Sequence, residues 1–231
     1  MSADAVYCIS LKRLVDRRKK MIDMLSQVNF CPVYIFDAID GEVSDITDIN
    51  KEGFNCYDGW KIDTDNHWWN RPVKMGELCA TIGHYLIWKH IIKNGYRKAL
   101  IFEDDVVFEY NELLRGLNII NDFKKDYDVF YLGSSPVKPG IKENSLIEKC
   151  DYTYCLHAYI MTTEGAAVLV NSNFLENMIP GDEFVPFSFC DHPRKDLRNI
   201  YNLKRKLLAY RFMTDIVHQT NLGGSHTSMI Q

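Results

Sequence analysis

The sequence predicts an α/β protein whose mostly parallel sheet is flanked by helices, and the order of its N-terminal segments is the main reason. An apolar run at residues 6–11 is followed by an amphipathic stretch at about 15–28 and by a second apolar run at 33–36. This strand–helix–strand order favours two parallel strands joined by a right-handed crossover. Two more apolar runs, at 99–103 and 128–132, leave room for a helix between them.

The remaining elements follow in chain order, and no internal repeat, low-complexity segment or clear linker separates them. We therefore predict one domain over residues 1–231. Residues 42–70 are polar and rich in Asp and Asn, which indicates a loop with short elements. The other expected elements are a helix at 78–92, a helix between the strands at 99–103 and 128–132, a strand at 154–161, a helix at 165–170, a basic helix at 194–208 and a short final strand at 215–218.

Composition and charge limit the class of protein. The chain is 46% hydrophobic and 25% charged, as in ordinary globular proteins, and its net charge of −4 gives no general attraction to nucleic acid. No apolar run approaches the ~20 residues of a membrane span, and no signal peptide or retention signal is visible. We therefore expect a cytoplasmic or otherwise intracellular protein. The seven cysteines include no CxxC pair, which argues against structural zinc and a disulfide framework.

The triplet Glu103-Asp104-Asp105 directly follows one of the apolar runs. Alternation along an extended backbone places Glu103 and Asp105 on one side and Asp104 on the other. Adjacent carboxylates repel one another, and Mg²⁺ or Mn²⁺ bound together with substrate phosphates would compensate them. A solvated turn is the alternative. The position at a strand end favours a metal–diphosphate site, because open α/β sheets bind ligands at the carboxyl ends of their strands.

A polar stripe is predicted on the helix that begins near Gly76. Spacings of four and three place Glu77, Thr81 and His84 on one helical face. These groups could point into a site, and a capped helix with a solvated stripe is the alternative interpretation.

A second acidic pair, Asp182-Glu183, lies between Pro180 and Pro186. Flanking prolines and apolar residues would hold a carboxylate in a rigid and partly dry setting, as a general base requires. An N-cap before a helix is the alternative, because Asp is a favourable cap. The residues alone leave both interpretations open.

Three further segments each allow two interpretations. The polar stretch 218–226 contains glycines and two histidines, and is either a loop that completes a Mn²⁺ sphere or a flexible tail. The basic stretch 194–206 is either a solvated helix face or a surface for an acceptor or phosphate. Trp60, Trp68 and Trp69 either stack on a sugar or a base, or pack against the sheet.

Seven short motifs follow one another along nearly the whole chain. They are residues 9–13 with 16–18, 36–41, 76–84, 100–105, 131–133, 158–159 with 165–166, and 182–186 with 192–193. In this order they resemble glycosyltransferase family 25, which includes bacterial lipooligosaccharide galactosyltransferases and collagen hydroxylysine galactosyltransferases. The last motif looks most like that of the collagen-type members.

The resemblance implies a GT-A-like glycosyltransferase fold, built on a Rossmann-type nucleotide-binding sheet. Residues of about 1–135 would form the nucleotide-sugar-binding half and about 136–231 the acceptor half. The resemblance also implies Mn²⁺ and a UDP-hexose donor carrying galactose or glucose. The acceptor hydroxyl would belong to hydroxylysine of a collagen-like protein or to a glycan, and we expect an inverting transfer that gives a β-linkage.

The resemblance further implies roles for individual residues. Glu103 and Asp105 would bind the metal directly or through water, with His218 as the third ligand. Asp182 or Glu183 would deprotonate the acceptor, and Asp182 is preferred. The residues expected around the donor are Ser10, Leu11, Arg13, Asp37 and Asp40 at the uridine, Asp104 at the ribose or the metal, and Glu77 and His84 in the pocket wall.

Three positions depart from the family pattern. Cys79-Ala80 stands where the family has Gly-Cys, Gly83 replaces the serine before the histidine, and residues 225–227 read Ser-His-Thr instead of Ser-Asp-Thr. The last departure removes a carboxylate, which keeps a degenerate, non-catalytic sugar-binding transferase as one alternative. A metal-dependent nucleotide-sugar phosphodiesterase is another, since it needs the same carboxylates, cation and diphosphate.

Overall fold

The fold is organised around an eight-stranded sheet, in a computed structural model that describes residues 3–220. The strands are β1 (Ala5–Ser10), β2 (Val33–Asp37), β3 (Lys98–Glu103), β4 (Val106–Val107), β5 (Val129–Pro136), β6 (Ile141–Lys142), β7 (Ile147–Lys149), β8 (Thr153–Thr162), β9 (Ala209–Phe212) and β10 (His218–Gln219). The helices are α1 (Val15–Leu25), α2 (Ile46–Lys51), α3 (Met75–Asn94), α4 (Tyr110–Asp122), α5 (Thr163–Val170) and α6 (Gly181–Phe189), with short 3-10 helices at Phe174–Glu176 and Lys195–Asn199.

Six of the eight strands in the main sheet run in the same direction. The strand order is β2-β1-β3-β8-β5-β9-β7-β6, and β8 and β7 run opposite to the others. The predicted mostly parallel sheet flanked by helices is therefore confirmed. The final strand, predicted at 215–218, is the two-residue β10, which pairs with β4 in a separate ribbon.

Both faces of the main sheet are buried, which explains why its central strands are continuous apolar runs. On β1, Tyr7 and Ile9 belong to the core that α3, α5 and α6 cover, whereas Val6 and Cys8 belong to the core that α1 and α4 cover. The period-2 alternation of a strand distributes its side chains between these two cores. Among the described helices, none has both the length and the apolar character needed to cross a membrane.

The carboxyl ends of the central parallel strands bring distant segments together. In the register of β1 with its neighbours, Ser10 lies opposite Asp37 and Ile9 lies opposite Glu103. The chain after β2 then passes close to the start of α3, where a Cβ on Gly41 would lie 2.9 Å from the Gly76 nitrogen. A side chain at position 41 would push these two segments apart. The strand ends and the N-terminus of α3 therefore face one another.

The C-terminal ribbon is docked against an irregular part of the sheet. The pairing of β5 with β8 shifts register on either side of Gly133. At this point a Cβ would overlap the carbonyl oxygen of Val217 and the imidazole of His157. Glycine therefore allows the chain before β10 to lie against β5. Just after β10, the Thr220 N–H donates to the carbonyl oxygen of Asp105 at 2.6 Å.

The basic helix predicted at 194–208 is wrong. The chain forms only the 3-10 helix Lys195–Asn199 there and is irregular from that point to β9. Arg194 instead donates to two backbone carbonyls of the loop before α3, at 2.8 and 3.1 Å. Arg205 donates to both carboxylate oxygens of Asp128 at 2.6 Å. These tertiary contacts override the local helix propensity, which is a weak preference.

Gly133→Ala is expected to destabilise the protein, because its methyl group would overlap a backbone carbonyl and a buried imidazole. Overpacking of this kind costs about 1–3 kcal/mol and is measured as a lower urea midpoint at an unchanged slope. Gly83→Ala is the matched control, since its Cβ would meet only the Ile9 side chain, at 3.3 Å and beyond, and alanine gains about 1 kcal/mol in a helix. Equal midpoints for the two variants would contradict the close approach at Gly133.

Candidate functional site

A cleft of about 190 Å³ lies at the carboxyl ends of β1 and β3, beside the N-terminus of α3. Its wall combines the first strand end, the segment after β2 and the acidic triplet. It also contains Arg17, to which the sequence assigned no role. The residues predicted for the site that line this cleft are Leu11, Arg13, Asp40, His84, Glu103, Asp104 and Asp105.

An ion pair fixes the segment after β2 over the cleft. The Arg13 Nε atom lies 2.6 Å from Asp40 Oδ2, and its Nη2 atom lies 2.7 Å from Glu42 Oε1. Asp40 also accepts a hydrogen bond from the Glu42 backbone N–H at 3.0 Å. Arg13 and Asp40 are thereby oriented by each other as parts of the same wall.

Asp104 is 6% exposed, and protein groups compensate its carboxylate. Arg17 Nη2 lies 2.5 Å from Asp104 Oδ1, and the Leu11 backbone N–H donates to Oδ2 at 3.3 Å. Burial raises the pKa of Asp104, and the guanidinium of Arg17 acts in the opposite direction. Arg17 thus supplies part of the positive charge that the acidic triplet requires. The Arg-rich turn at 16–18 was the one sequence signal for this residue.

Glu103 and Asp105 carry the carboxylates best suited to a hard cation. Asp105 Oδ1 is buried and has no hydrogen-bond donor in the described part of the chain, while Oδ2 lies 3.5 Å from Arg17. A buried oxygen without a partner fits a divalent ion that prefers oxygen ligands. Within residues 3–220, however, no three His, Cys, Asp or Glu side chains are grouped so as to hold a metal, and the exposed His218 is therefore not gathered with the two carboxylates. The metal site stays a prediction.

A buried chain of hydrogen bonds orients Glu103. His84 Nε2 lies 3.1 Å from Glu103 Oε1, and His84 Nδ1 lies 2.9 Å from the Tyr159 hydroxyl, which accepts from Trp88 Nε1 at 3.0 Å. Burial lowers the pKa of His84 to about 4, so the imidazole is neutral near pH 7. Because an ionised Glu103 can only accept, Nε2 carries the proton, and the Tyr159 hydroxyl then donates to Nδ1.

The first turn of α6 places Asp182 near the acidic triplet. The residue as a whole is exposed, although protein surrounds its carboxyl group. Burial raises the pKa of Asp182 to about 7, and the negative charge of Glu103 adds to the effect. No side chain or backbone N–H within residues 3–220 donates a hydrogen bond to this carboxyl group. A carboxylate with available oxygens and a pKa near neutrality meets the requirements of a general base.

Glu183 is 4% exposed and lies in a ring of donors. Burial alone would raise the pKa of Glu183, but the donors, led by His192, hold it below its ordinary range. The carboxylate therefore has little capacity left to accept a proton from a substrate. The donors are Trp69 Nε1 at 3.0 Å, the Tyr152 hydroxyl at 2.7 Å, the Tyr154 hydroxyl at 2.9 Å and His192 Nε2 at 2.8 Å.

Two residues predicted at the uridine lie outside the cleft wall. Ser10 is fully buried at the end of β1. Asp37 is half-exposed and binds Lys12 Nζ at 3.0 Å and Arg18 Nη1 at 2.8 Å. Their chain neighbours Ile9, Leu11 and Ala38 do line the wall. Residues 225–227, where the sequence differs from the family's Ser-Asp-Thr motif, lie outside the described residues.

Glu77 and the tryptophans have structural partners. Glu77 accepts from the Lys74 backbone N–H at 2.9 Å and forms an ion pair with Arg71, so it caps α3 and does not line the cleft. Trp60 is 3% exposed, and the Cζ atom of the Arg194 guanidinium lies 5.1 Å from the centroid of its ring. Burial in the fold therefore explains the presence of Trp60 without a role in binding a sugar or a base. The partly buried Trp69 has a structural role through its hydrogen bond to Glu183.

The sequence of the chain is similar to that of known glycosyltransferases. Residues 3–185 match glycosyltransferase family 25 (LPS biosynthesis protein). Procollagen galactosyltransferase 2 of Homo sapiens is 29% identical over 97% of this chain and 36% of its own length. Procollagen galactosyltransferase 1-A of Xenopus laevis is 29% identical over 97% of this chain and 37% of its own length. The inactive glycosyltransferase 25 family member 3 of Homo sapiens is 30% identical over 96% of this chain and 37% of its own length.

The chain therefore spans little more than a third of the length of these curated relatives. Among solved structures, the match with mouse xyloside xylosyltransferase 1 in its apo form covers 94% of this chain and 84% of that protein, at 9% identity and with a TM-score of 0.34. The family match covers β1 to the first turns of α6, and it includes the strand ends and both acidic segments that form the site. The chain belongs to glycosyltransferase family 25.

Proposed function

We propose that this chain transfers a hexose from a UDP-sugar to an acceptor hydroxyl with inversion of configuration. The observation that carries the proposal is the placement of Asp182, whose pKa is raised to about 7, near an acidic turn at the ends of parallel strands. A diphosphate donor needs positive compensation and an acceptor hydroxyl needs a base. Carboxylates in two different environments suit these two tasks.

The donor nucleotide would occupy the cleft at the ends of β1 and β3. Leu11, Arg13 and Asp40 form the wall around the uridine in this proposal, and Ser10 and Asp37 lie at the neighbouring strand ends. Asp104, which Arg17 holds in place, would face the ribose or the metal. The location supports the proposal, because nucleotides bind at strand ends in open α/β sheets.

A divalent cation, proposed to be Mn²⁺, would be held by Glu103 and Asp105. His218 stays the predicted third ligand, and its side chain would have to approach the two carboxylates to complete the set. When bound, it neutralises the charge of the diphosphate as UDP leaves. The buried oxygen of Asp105 that has no hydrogen-bond donor within residues 3–220 supports this assignment. The hydrogen bond from His84 to Glu103 fits it too, because partners outside the ligand shell orient the ligands of metal sites.

Asp182 is the proposed general base. It would accept the proton of the acceptor hydroxyl while the hydroxyl oxygen forms a bond to the anomeric carbon. The bond between that carbon and the diphosphate oxygen breaks at the same time, and UDP leaves from the opposite face. An α-linked donor would then give a β-linked product.

A hydroxylysine of a collagen-like protein is the proposed acceptor, with a glycan as the alternative. The printed names of two relatives, procollagen galactosyltransferases, support both this acceptor and galactose as the sugar. The charges of Asp182, Glu103, Asp215 and Asp105 all act on the thiol of Cys155, so these carboxyl groups converge on one region. An acidic region of this kind would attract the amine of hydroxylysine.

A non-catalytic sugar-binding protein is the second candidate, because a relative at 30% identity is named inactive. This candidate would bind a UDP-sugar without turnover across a broad panel of acceptors. A nucleotide-sugar phosphodiesterase would differ from both, since it would leave UMP and sugar phosphate where a transferase leaves UDP. Chromatography of the nucleotide products separates the three.

Calorimetry of UDP binding tests the donor and metal assignments. We expect binding that depends on Mn²⁺ and that Asp105→Ala weakens at least tenfold, which corresponds to about 1.4 kcal/mol. Asp122→Ala, at an exposed position of α4, is the matched control and should bind UDP as the wild type does. Undiminished Mn²⁺-dependent binding by Asp105→Ala would show that the metal assignment is wrong, and no UDP binding by the wild type would remove the donor assignment.

Asp182→Asn is expected to lower kcat for transfer by about 10²–10⁴-fold, the usual contribution of a positioned base. UDP affinity should be unchanged, because Asp182 does not line the donor cleft. Asp191→Asn, at an exposed aspartate just after α6, is the control that should retain wild-type kcat. Release of UDP with acceptor present gives the rate. Full activity of Asp182→Asn would exclude this residue as the base.

A further inference from the structure

The N-terminus of α6 is bound to α3 immediately before Asp182. The Gly181 N–H donates to Thr81 Oγ1 at 2.7 Å, and the Thr81 hydroxyl donates to the Glu77 carbonyl oxygen at 2.7 Å. Thr81 is 2% exposed, so water does not compete for these bonds. A Cβ on Gly181 would lie 3.3 Å from the Thr81 hydroxyl oxygen. The backbone before Asp182 therefore has a fixed distance from α3.

The residue immediately after Asp182 is bound just as firmly. Glu183 has donors from four side chains within 3.0 Å, and these come from the loop before α3, from β8 and its N-terminal flank, and from the segment after α6. Three separate parts of the chain therefore bind the same buried carboxylate. Charge-assisted hydrogen bonds of this kind are stronger than neutral ones.

The donor at His192 is itself fixed by a second layer of contacts. His192 Nδ1 accepts from the Arg194 N–H at 3.2 Å, which leaves Nε2 to carry the proton that is donated to Glu183. The Arg194 guanidinium binds Asp196 and the carbonyl oxygens of Gly59 and Trp60. Arg194 thus connects the hydrogen-bond network around Glu183 to the loop that precedes α3.

We propose that Thr81 and Glu183 are positioning residues that hold Asp182 from both sides at the acceptor hydroxyl, an inference that rests on the proposed transferase function. Asp182 has no hydrogen-bond partner of its own within residues 3–220, so its place is set by its two neighbours. A base must lie within hydrogen-bond reach of the proton that it removes. Misplacement by ~1 Å can cost about 10²-fold in rate. Glu183, one of two predicted bases, then acts through Asp182 and does not accept the proton itself.

Thr81→Val tests this assignment, because it preserves the shape of the side chain and removes the hydroxyl. We expect kcat for transfer to fall by about 10–100-fold with UDP affinity unchanged. In an Asp182→Asn background the same substitution should cause no further loss, since a residue that acts only through Asp182 has nothing left to position. Thr214→Val, at an exposed position, is the matched control and should retain wild-type kcat.

Amide hydrogen exchange gives a readout that needs no activity. Exchange at Gly181 should be faster in Thr81→Val than in the wild type, because the amide loses its acceptor. Unchanged exchange at Gly181 would overturn the role of Thr81 even if the wild type proved inactive. Failure of the positioning role and failure of the proposed transferase function are therefore distinguishable. Faster exchange together with wild-type kcat would overturn the positioning role. Equal losses in the wild-type and Asp182→Asn backgrounds would also overturn it.

Glu183→Gln tests the other side of Asp182. The amide NH₂ of glutamine would face donors, so we expect the melting temperature to fall by on the order of 5–10 °C, whereas Glu112→Gln in an exposed ion pair should change it little. The pKa of Glu183 lies below its ordinary value of 4.5, so its stabilising effect is present above pH 4.5 and is lost as the pH falls further. The stability difference between wild type and Glu183→Gln should therefore narrow in acid.

The pH profile of transfer separates positioning from catalysis at Glu183. Below its melting temperature, Glu183→Gln should show a reduced kcat but keep the acidic limb of the profile, because Asp182 remains the base. Loss of that limb in Glu183→Gln, with the melting temperature unchanged, would identify Glu183 as the base and overturn the proposal.

Discussion

The charge of the acidic turn after β3 is the constraint on which the rest of the site depends. Asp104 is almost fully buried, and a buried carboxylate must be paired or it destabilises the fold. Arg17 and the Leu11 N–H supply the compensation. Both lie just after β1, so α1 has to begin within a few residues of that strand for Arg17 to reach the turn. The short connection from β1 to α1 and the position of the cleft both follow from this ion pair.

Helix α3 joins the two halves of the site through one polar face. Glu77 closes its N-terminus, Thr81 holds the start of α6, and His84 orients Glu103. These three side chains can affect the geometry of the site without contacting a substrate. The helix is largely buried, so its three polar groups are satisfied inside the protein and transmit position from one acidic segment to the other.

Local sequence patterns were sufficient for five strands of the main sheet and for the acidic turn, but they did not predict β6, β7 and β9. The apolar runs gave the strands, and a carboxylate at a strand end can be located without knowledge of its partners. The partners themselves could not be predicted, because they are distant in sequence: 93 residues separate Leu11 from Asp104, and 114 separate Trp69 from Glu183. For the same reason Asp182 and Glu183 looked equivalent in the sequence, although only one of them is surrounded by donors. The predicted helix at 194–208 failed because Arg194 and Arg205 bind tertiary partners.

The position of β8 determines how this chain can be divided. This strand comes from the C-terminal half, yet it lies between β3 and β5, both of which begin in the N-terminal half. A chain cut near residue 136 would leave those two strands with unpaired backbone edges, which favour aggregation. The two halves of the chain, which were predicted to bind donor and acceptor, are therefore interleaved and are not modules. A chimera that exchanged the C-terminal half with that of a relative would also have to match the packing of β8 against both β3 and β5.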